Sequence, residues 1–498
     1  MIKEAYLGLD IGGTGVKAGV FGHDGKMLAF SRRAFEPKIS PEGHVDIPID
    51  VIYDSARNAV REAVRKSRSK ILAMAVSSQG ETFVSLDKHD RPLHDAIVWY
   101  DSRSKVQADE LRRAVPSAAD RIDPHYSVCK IRWLQNNRPV IMQRAKRFLL
   151  LPDYFSWRLA GRPATDPTIA GSGGMTNSEG DGYDKEILKA AGIEVDQLAK
   201  IMPAGSPIGY VRKAVAKEWE LSPETLLVVG TNDQYAGALG AGNCRPGILS
   251  VTFGTCLAMV TLAKSKPRKI PPGLMSGKFP IPGFWFILAY AKTSGVVLDW
   301  FRRECAGNMD WPTLNRAAAH IPAGCNGLTM VPHFDGLISP EPNENIRGAF
   351  LGLTLQHTTA AMYRAVLEGL TFSLRENMEL IEKIGFKIRA MRAIGGGAKN
   401  DFWLRMQADV LGRPVEKPAV TEAAVLGAAM LAATGRGTYG SLAEAGQNLY
   451  RVGRIFKPDP KGRQAYHIPY ERYLRLTARE AASAPEHKNQ RRIQSCVN

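Results

Sequence analysis

The chain has 498 residues, 44% of them hydrophobic and 23% charged, and 66 Lys and Arg against 49 Asp and Glu leave a formal net charge of +17. That length points to two or three domains, and a composition without low-complexity tracts excludes a disordered or fibrous protein. The charge invites an anionic partner, but its densest stretches, "REAVRKSRSK" (61–70), "KSKPRK" (264–269) and "KNQRR" (488–492), read as a helix end, a loop and a tail with solvated faces, and no nucleic-acid motif accompanies them.

The amino-terminal "MIKEAYLGLD" meets an acid before a signal-peptide core could form. "YLGLDI", "VKAGVF" and "KMLAFSRRAF" then read as three strands joined by Gly-Gly-Thr-Gly and by His23-Asp24-Gly25, an antiparallel meander. Residues 51–66 place Ile52, Ala56, Val60 and Ala63 on one helical face with basic residues opposite, and "ILAMAVSSQ" comes next as a buried strand. Strands, helix and strand in this order predict a mixed α/β domain.

"LDKHDRPLHDAIVWYDSR" is dense in His and Asp, yet His89 and His94 have no ligand spacing. A hairpin at Asp90-Arg91-Pro92 is expected instead, with Trp99, Asp101 and Arg103 at alternating positions after it. They would either line one wall of a polyhydroxylated-substrate site or form a stacked surface ion pair.

"LLVVGTNDQYAGALGAG" runs from a strand into Asp233, which reads either as a helix cap or as an acid beside an attacking hydroxyl. "GILSVTFGTCLAMVTL" (247–262) repeats the strand, Gly-Thr turn and strand of the amino terminus, with Gly254-Thr255 echoing Gly13-Thr14 but without an acid. A boundary near 244 would divide the chain into halves of 1–244 and 245–475, with 476–498 as a polar tail. "FWFILAYA" is too short to span a bilayer, and six scattered cysteines form neither a disulfide framework nor a zinc pattern, so a soluble cytoplasmic protein is expected. "MRAIGGGAKNDFWLRMQADVLG" reads as strand, glycine turn and helix, followed by the small-residue helix "TEAAVLGAAMLAATG".

Glycine turns of this kind can present backbone N–H groups to phosphate, although each alone is also an ordinary turn. Phosphoryl transfer to an alcohol wants one carboxylate near the metal-bound phosphates and another near the attacking hydroxyl. Asp10 and Asp233, at strand ends near glycine turns, suit that division.

With these motifs in order over residues 5–475, the chain resembles the FGGY carbohydrate kinases of the actin, Hsp70 and hexokinase-like ATPase superfamily. "DIGGTG" is similar to the first phosphate loop, "TFGTC" to the second and "GGGAKND" to the adenosine motif. "SVCKIRWLQNN" and "GAFLGLTLQHTTAAMYRAVLEG" resemble the two family signatures, with His125 where an aromatic or small residue is usual and Ala361 for a usual polar one.

The resemblance implies an α/β fold of two ribonuclease-H-like (actin-like ATPase) domains around a cleft that closes on ATP, Mg2+ and a sugar or polyol. It implies Asp233 as general base, Gln234 as a substrate contact and Asp10 as the magnesium-side acid, with Gly12, Gly13, Thr14 and Lys17 about the transferred phosphate. Gly254, Thr255, Gly295, Gly396, Gly397 and Asn400 match nucleotide contacts. The loop Gln79-Gly80-Glu81 matches neither the Arg-Glu of glycerol kinases nor the Met-His of xylulose kinases. Glu81 could accept from two hydroxyls, and Gly80 would leave room for a longer substrate. The Trp99, Asp101 and Arg103 pattern is closer to ketopentose kinases, so a ketopentose is expected first and a polyol second. A homodimer is compatible with all of this, whereas a chaperone-like ATPase and a nucleic-acid module are the competing classes.

Overall fold

A computed structural model describes residues 3–483 of the protein. Its contacts divide it into two compact units. The first contains residues 3–244, Gly277–Phe284 and Glu422–Tyr450; the second contains Arg245–Ser276, Trp285–Thr421 and the described residues from Arg451 onward.

The first unit is built on a six-stranded sheet. Strands β1 (Lys3–Gly12), β2 (Gly15–Phe21) and β3 (Met27–Ala34) form the expected antiparallel meander. Helix α1 (Ile49–Ser67) buries Ile52, Ala56, Val60 and Ala63 and ends at Arg68, which takes a left-handed conformation. It leads into β4 (Ser69–Ser78), parallel to β1. Later come helices α2 (Ser127–Asn137) and α3 (Pro167–Ser172), then β5 (Pro207–Tyr210), β6 (Leu226–Asn232) and α4 (Asp233–Gly240). The sheet order is β5-β6-β4-β1-β2-β3, with β6, β4 and β1 parallel at its centre. Those three strands are buried on both faces, which is why they read as continuous apolar runs rather than alternating ones.

The Ala423–Gly435 helix belongs to this first unit. Glycine lets backbones meet there: a Cβ on Gly8 would lie 1.9 Å from the Val425 carbonyl oxygen, one on Gly240 1.8 Å from that of Ala423, and one on Gly427 1.9 Å from that of Ala236. A single cut near 244 therefore does not describe the compact units, because the chain returns twice after it.

The second unit holds the repeat. Strands β7 (Ile248–Phe253) and β8 (Leu257–Ala263) pair antiparallel across Gly254-Thr255. They join β9 (Leu274–Lys278), β10 (Trp285–Ala291), β11 (Ala390–Gly395), β12 (Val415–Pro418) and β13 (Val452–Phe456) in the order β9-β10-β8-β7-β11-β12-β13. Helices α5 (Gly295–Glu304), α6 (Thr359–Lys383) and α7 (Asp401–Leu411) pack with this sheet's unit. The expected tail at 476–498 is corrected in its first part: a helix spans His467–Ser483 and buries Pro469, Tyr470, Tyr473 and Thr477 along one face. The rest of that tail lies outside the described residues.

The basic stretch at 61–70 is engaged at the surface, where Arg61 and Arg65 pair with Glu220, Lys66 with Glu62 and Lys70 with Glu224. Among the described residues no helix is long and apolar enough to cross a membrane, and no disulfide joins the cysteines.

Candidate active site

The carboxyl ends of parallel strands are where open α/β sheets bind ligands, and the register of the first sheet brings the expected acids to that edge. Asp10 and Thr231 both stand opposite Ser77, while Ile11 and Asn232 stand opposite Ser78. Asp10 is 8% exposed and its Oδ1 accepts from the Ser77 hydroxyl at 2.8 Å. Burial pushes its carboxyl up, with Lys17 and the Ser77 bond pulling the other way. Lys17 is the cross-strand partner of Asp10, and its ammonium holds Glu422 at 2.7 Å.

Asp233 is the first residue of α4, whose cap is Asn232: the Asn232 side chain accepts from the Gln234 N–H at 2.9 Å. A helix amino terminus favours a carboxylate, yet burial and then the charge of Asp10 dominate and raise Asp233 to about 7. A carboxylate so tuned can accept a proton near neutrality.

Gln79 is 5% exposed, and both polar atoms of its side chain lack a hydrogen-bond partner; the Gln234 Oε1 is likewise buried and unpartnered. Such groups are costly to leave unsatisfied. A Cβ on Gly13 would lie 3.3 Å from the Gln79 Oε1 and 3.5 Å from the Trp99 Nε1, so Gln79 and Trp99 converge on the first glycine turn. Glu81 is raised to about 7 by burial, against the pull of Lys130. Lys130 is fully buried and donates to the carbonyls of Val98 and Trp99 at 2.8 and 2.7 Å.

Two expectations change. The space beside Gly80 is filled: a Cβ there would sit 2.4 Å from the Cβ of Ser172 and 3.0 Å from the Asn232 Nδ2, so that glycine admits Ser172 rather than a longer substrate. Asp101 and Arg103 do not line a wall with Trp99. The strand before them is only Ala96–Ile97, so alternation does not extend to them. The Arg103 guanidinium instead donates to Asp101 (2.7 Å) and Asp46 (2.8 Å) and lies 5.1 Å from the Trp133 ring centroid, while Asp101 accepts from the Val45 N–H at 2.6 Å. This is the stacked ion-pair alternative, buried rather than on the surface. His94 bonds Ser85 and the Asp95 carbonyl, and no group of three or more metal-ligating side chains occurs among the described residues.

In the second unit the remaining turns gather about the end of β7. The Ser294 N–H donates to the Thr255 carbonyl at 2.9 Å and the Gly295 N–H to the Gly254 carbonyl at 2.8 Å, at the start of α5. A Cβ on Gly295 would be 2.6 Å from the Gly254 oxygen, and one on Gly395, whose φ is +82°, 2.7 Å from that of Phe253. Gly396 and Gly397 come next in a short 3-10 turn, and Asn400 caps α7, accepting from the Trp403 N–H at 3.1 Å and donating to Asn315 at 2.9 Å. Glycine turns and a helix amino terminus at one strand end form a phosphate-seeking arrangement.

Sequence reasoning passed over Lys130, Glu422, Asp166, Thr168 and Ser172. The signal for Asp166 was present in "TDPT", an N-cap acid followed by Pro at the first helical position.

Comparison with known proteins gives the family and the fold. Residues 5–240 match the FGGY family of carbohydrate kinases, N-terminal domain, and residues 249–435 the C-terminal domain. The chain is 27% identical over 478 residues to a xylulose kinase of Bacillus subtilis (strain 168), covering 94% of this chain and 96% of that one. It is 28% identical over 452 residues to a gluconokinase of the same organism, covering 86% and 88%. The fold is shared with the ligand-bound xylulose kinase from Lactobacillus acidophilus at a TM-score of 0.88 and 24% identity, over 97% of this chain and 99% of that one. The two matched domains thus define a phosphotransferase of sugars or polyols, of a family that uses ATP. The chain belongs to the FGGY family of carbohydrate kinases.

Proposed function

We infer that the enzyme transfers the γ-phosphate of ATP to a hydroxyl of a neutral polyhydroxylated sugar, a ketopentose such as xylulose first, with Asp233 as the general base. The observation that carries this reading is Asp233 at the head of α4, raised to about 7 beside Asp10 and near Glu81. The substrate hydroxyl oxygen attacks the γ-phosphorus, its proton passes to an Asp233 carboxylate oxygen, and the bond from phosphorus to the ADP oxygen breaks. Gln79, Glu81, Trp99 and Gln234 contact the sugar. Asp101, Arg103 and Gly80 shape the site behind them without touching it. Holding hydroxyl and phosphate in line supplies on the order of 7 kcal/mol of the barrier reduction.

Magnesium fits as an ion that arrives with the nucleotide. One buried carboxylate, Asp10, stands near the end of β1 just before the first glycine turn, and such ions take most of their ligands from phosphate and water. When bound, it neutralises charge on the phosphates; Asp10 would hold it, and the amides of Gly12, Gly13, Gly254, Thr255 and Gly295 would take phosphate oxygens. Gly396, Gly397 and Asn400 belong with the nucleoside.

A polyol is the second reading, favoured by the two acceptor oxygens of Glu81. The test is ADP release across ketoses, aldoses, polyols and sugar acids. Ketopentoses are expected to give the highest kcat/KM, whereas silence from a folded, ATP-binding protein throughout the panel overturns the reading.

A further inference from the structure

The residues that lead into Asp233 are held by an apparatus that the transfer reaction alone does not explain. In its pairing with β4, strand β6 steps from Val228 opposite Ala75 to Thr231 opposite Ser77, one residue too many. The extra residue is accommodated at Gly230, where a Cβ would lie 1.6 Å from the Val76 carbonyl oxygen. A bulge of this kind re-aims the chain beyond it. Here that chain is Thr231, Asn232 and Asp233.

Past the bulge the strand end keeps its pairing with β4 at Thr231 and Asn232 and is tied to α3 by side chains as well. The Thr231 hydroxyl donates to Asp166 Oδ2 at 2.9 Å and lies 2.8 Å from the Thr168 hydroxyl. The Thr168 hydroxyl donates to the Asp166 carboxylate at 2.9 Å and accepts the Asn232 backbone N–H at 3.1 Å. The Asn232 side-chain amide donates to Ser172 at 3.2 Å, while its oxygen caps α4. Asp166 and Thr231 are 1% and 0% exposed, so water cannot substitute for these bonds.

Asp166 also caps α3 through the Ile169 N–H at 3.0 Å. One carboxylate thus fixes both the start of α3 and the strand end that launches α4.

We propose that Asp166 and Thr168 are positioning residues for phosphoryl transfer, which act through Thr231 and Asn232 to hold the Asp233 carboxylate against the substrate hydroxyl. The proposal rests on the reading of Asp233 as base. Removing the Thr168 hydroxyl orphans the Asn232 N–H and frees the first turn of α4 to shift, and a displacement of about 1 Å at a reacting group costs roughly 100-fold in rate.

The test is steady-state kinetics with the best substrate of the panel, with active protein counted by ATP binding. Thr168→Val is expected to lower kcat by about 10- to 100-fold with the KM for ATP within about twofold, and Thr168→Ser to return kcat to within about threefold. Should Thr168→Val fail to fold, Ser172→Ala loses only the partner of the Asn232 amide and is expected to lower kcat about 3- to 10-fold. A folded Thr168→Val with kcat within about twofold of the parent, or a loss that Ser does not restore, overturns the proposal. Asp233→Asn runs alongside: its near-normal turnover removes the base reading and this proposal with it, whereas an inactive Asp233→Asn beside a normal Thr168→Val removes the positioning role alone.

Discussion

The proposed base, Asp233, owes its character to placement as much as to chemistry. The same residue type on a wet surface would be too weakly basic to help an alcohol, whereas burial beside Asp10 raises it to about 7. Asp233→Asn is expected to lower turnover by about 100- to 10,000-fold while ATP binding, read by calorimetry, persists. Because the base must be ionised in the free enzyme, kcat/KM should fall about tenfold per pH unit below roughly 7, and a flat profile down to pH 5 would exclude it. Legibility at this scale was uneven. Asp10, Asp233 and the Gly-Thr turns lie at the strand ends where their types and neighbours led one to expect them. Asp101 and Arg103 misled because alternation assumes a strand longer than two residues. Gly80 misled because an absent side chain looks the same whether a ligand or Ser172 fills the space.

Elements were more legible than their partners. The meander, α1, β4 and the repeated strand pair all derive from period and turn chemistry, and each appears in the structure. The Ala423–Gly435 helix was also expected, but ten of its thirteen residues are buried, so it has no polar face to say which sheet it covers. Its seat depends on glycines where backbones touch. Gly427→Ala, which places a Cβ 1.9 Å from the Ala236 carbonyl oxygen, is expected to destabilise the protein by about 3 kcal/mol, measured by urea unfolding. An unchanged midpoint would mean that the helix can slide.

For the whole molecule, buried acids set the pH response. Burial raises Asp153 to about 8 and Glu376 to about 7, as it does Asp233. In the unfolded chain such groups are ionised above about pH 5. Between pH 6.5 and 8 the native state therefore holds protons that the unfolded state has released, and stability falls as pH rises through that window. His94 and His333, pushed down to about 4, work in the opposite sense but only below about 6.5, and Lys130, lowered to about 8, acts above the window. Urea unfolding at pH 6.5 and pH 8 checks this, and equal stability at the two would contradict it.

The return of Glu422–Tyr450 to the first unit also governs how such an enzyme can be recombined. A fragment stopped at 244 leaves β1 without the helix that its Gly8 was shaped to receive. Exchanging the first unit with that of a relative is then a three-piece graft, residues up to 244 together with Gly277–Phe284 and Glu422–Tyr450, because a one-junction chimera would pair a strand from one parent with a helix cut for the other.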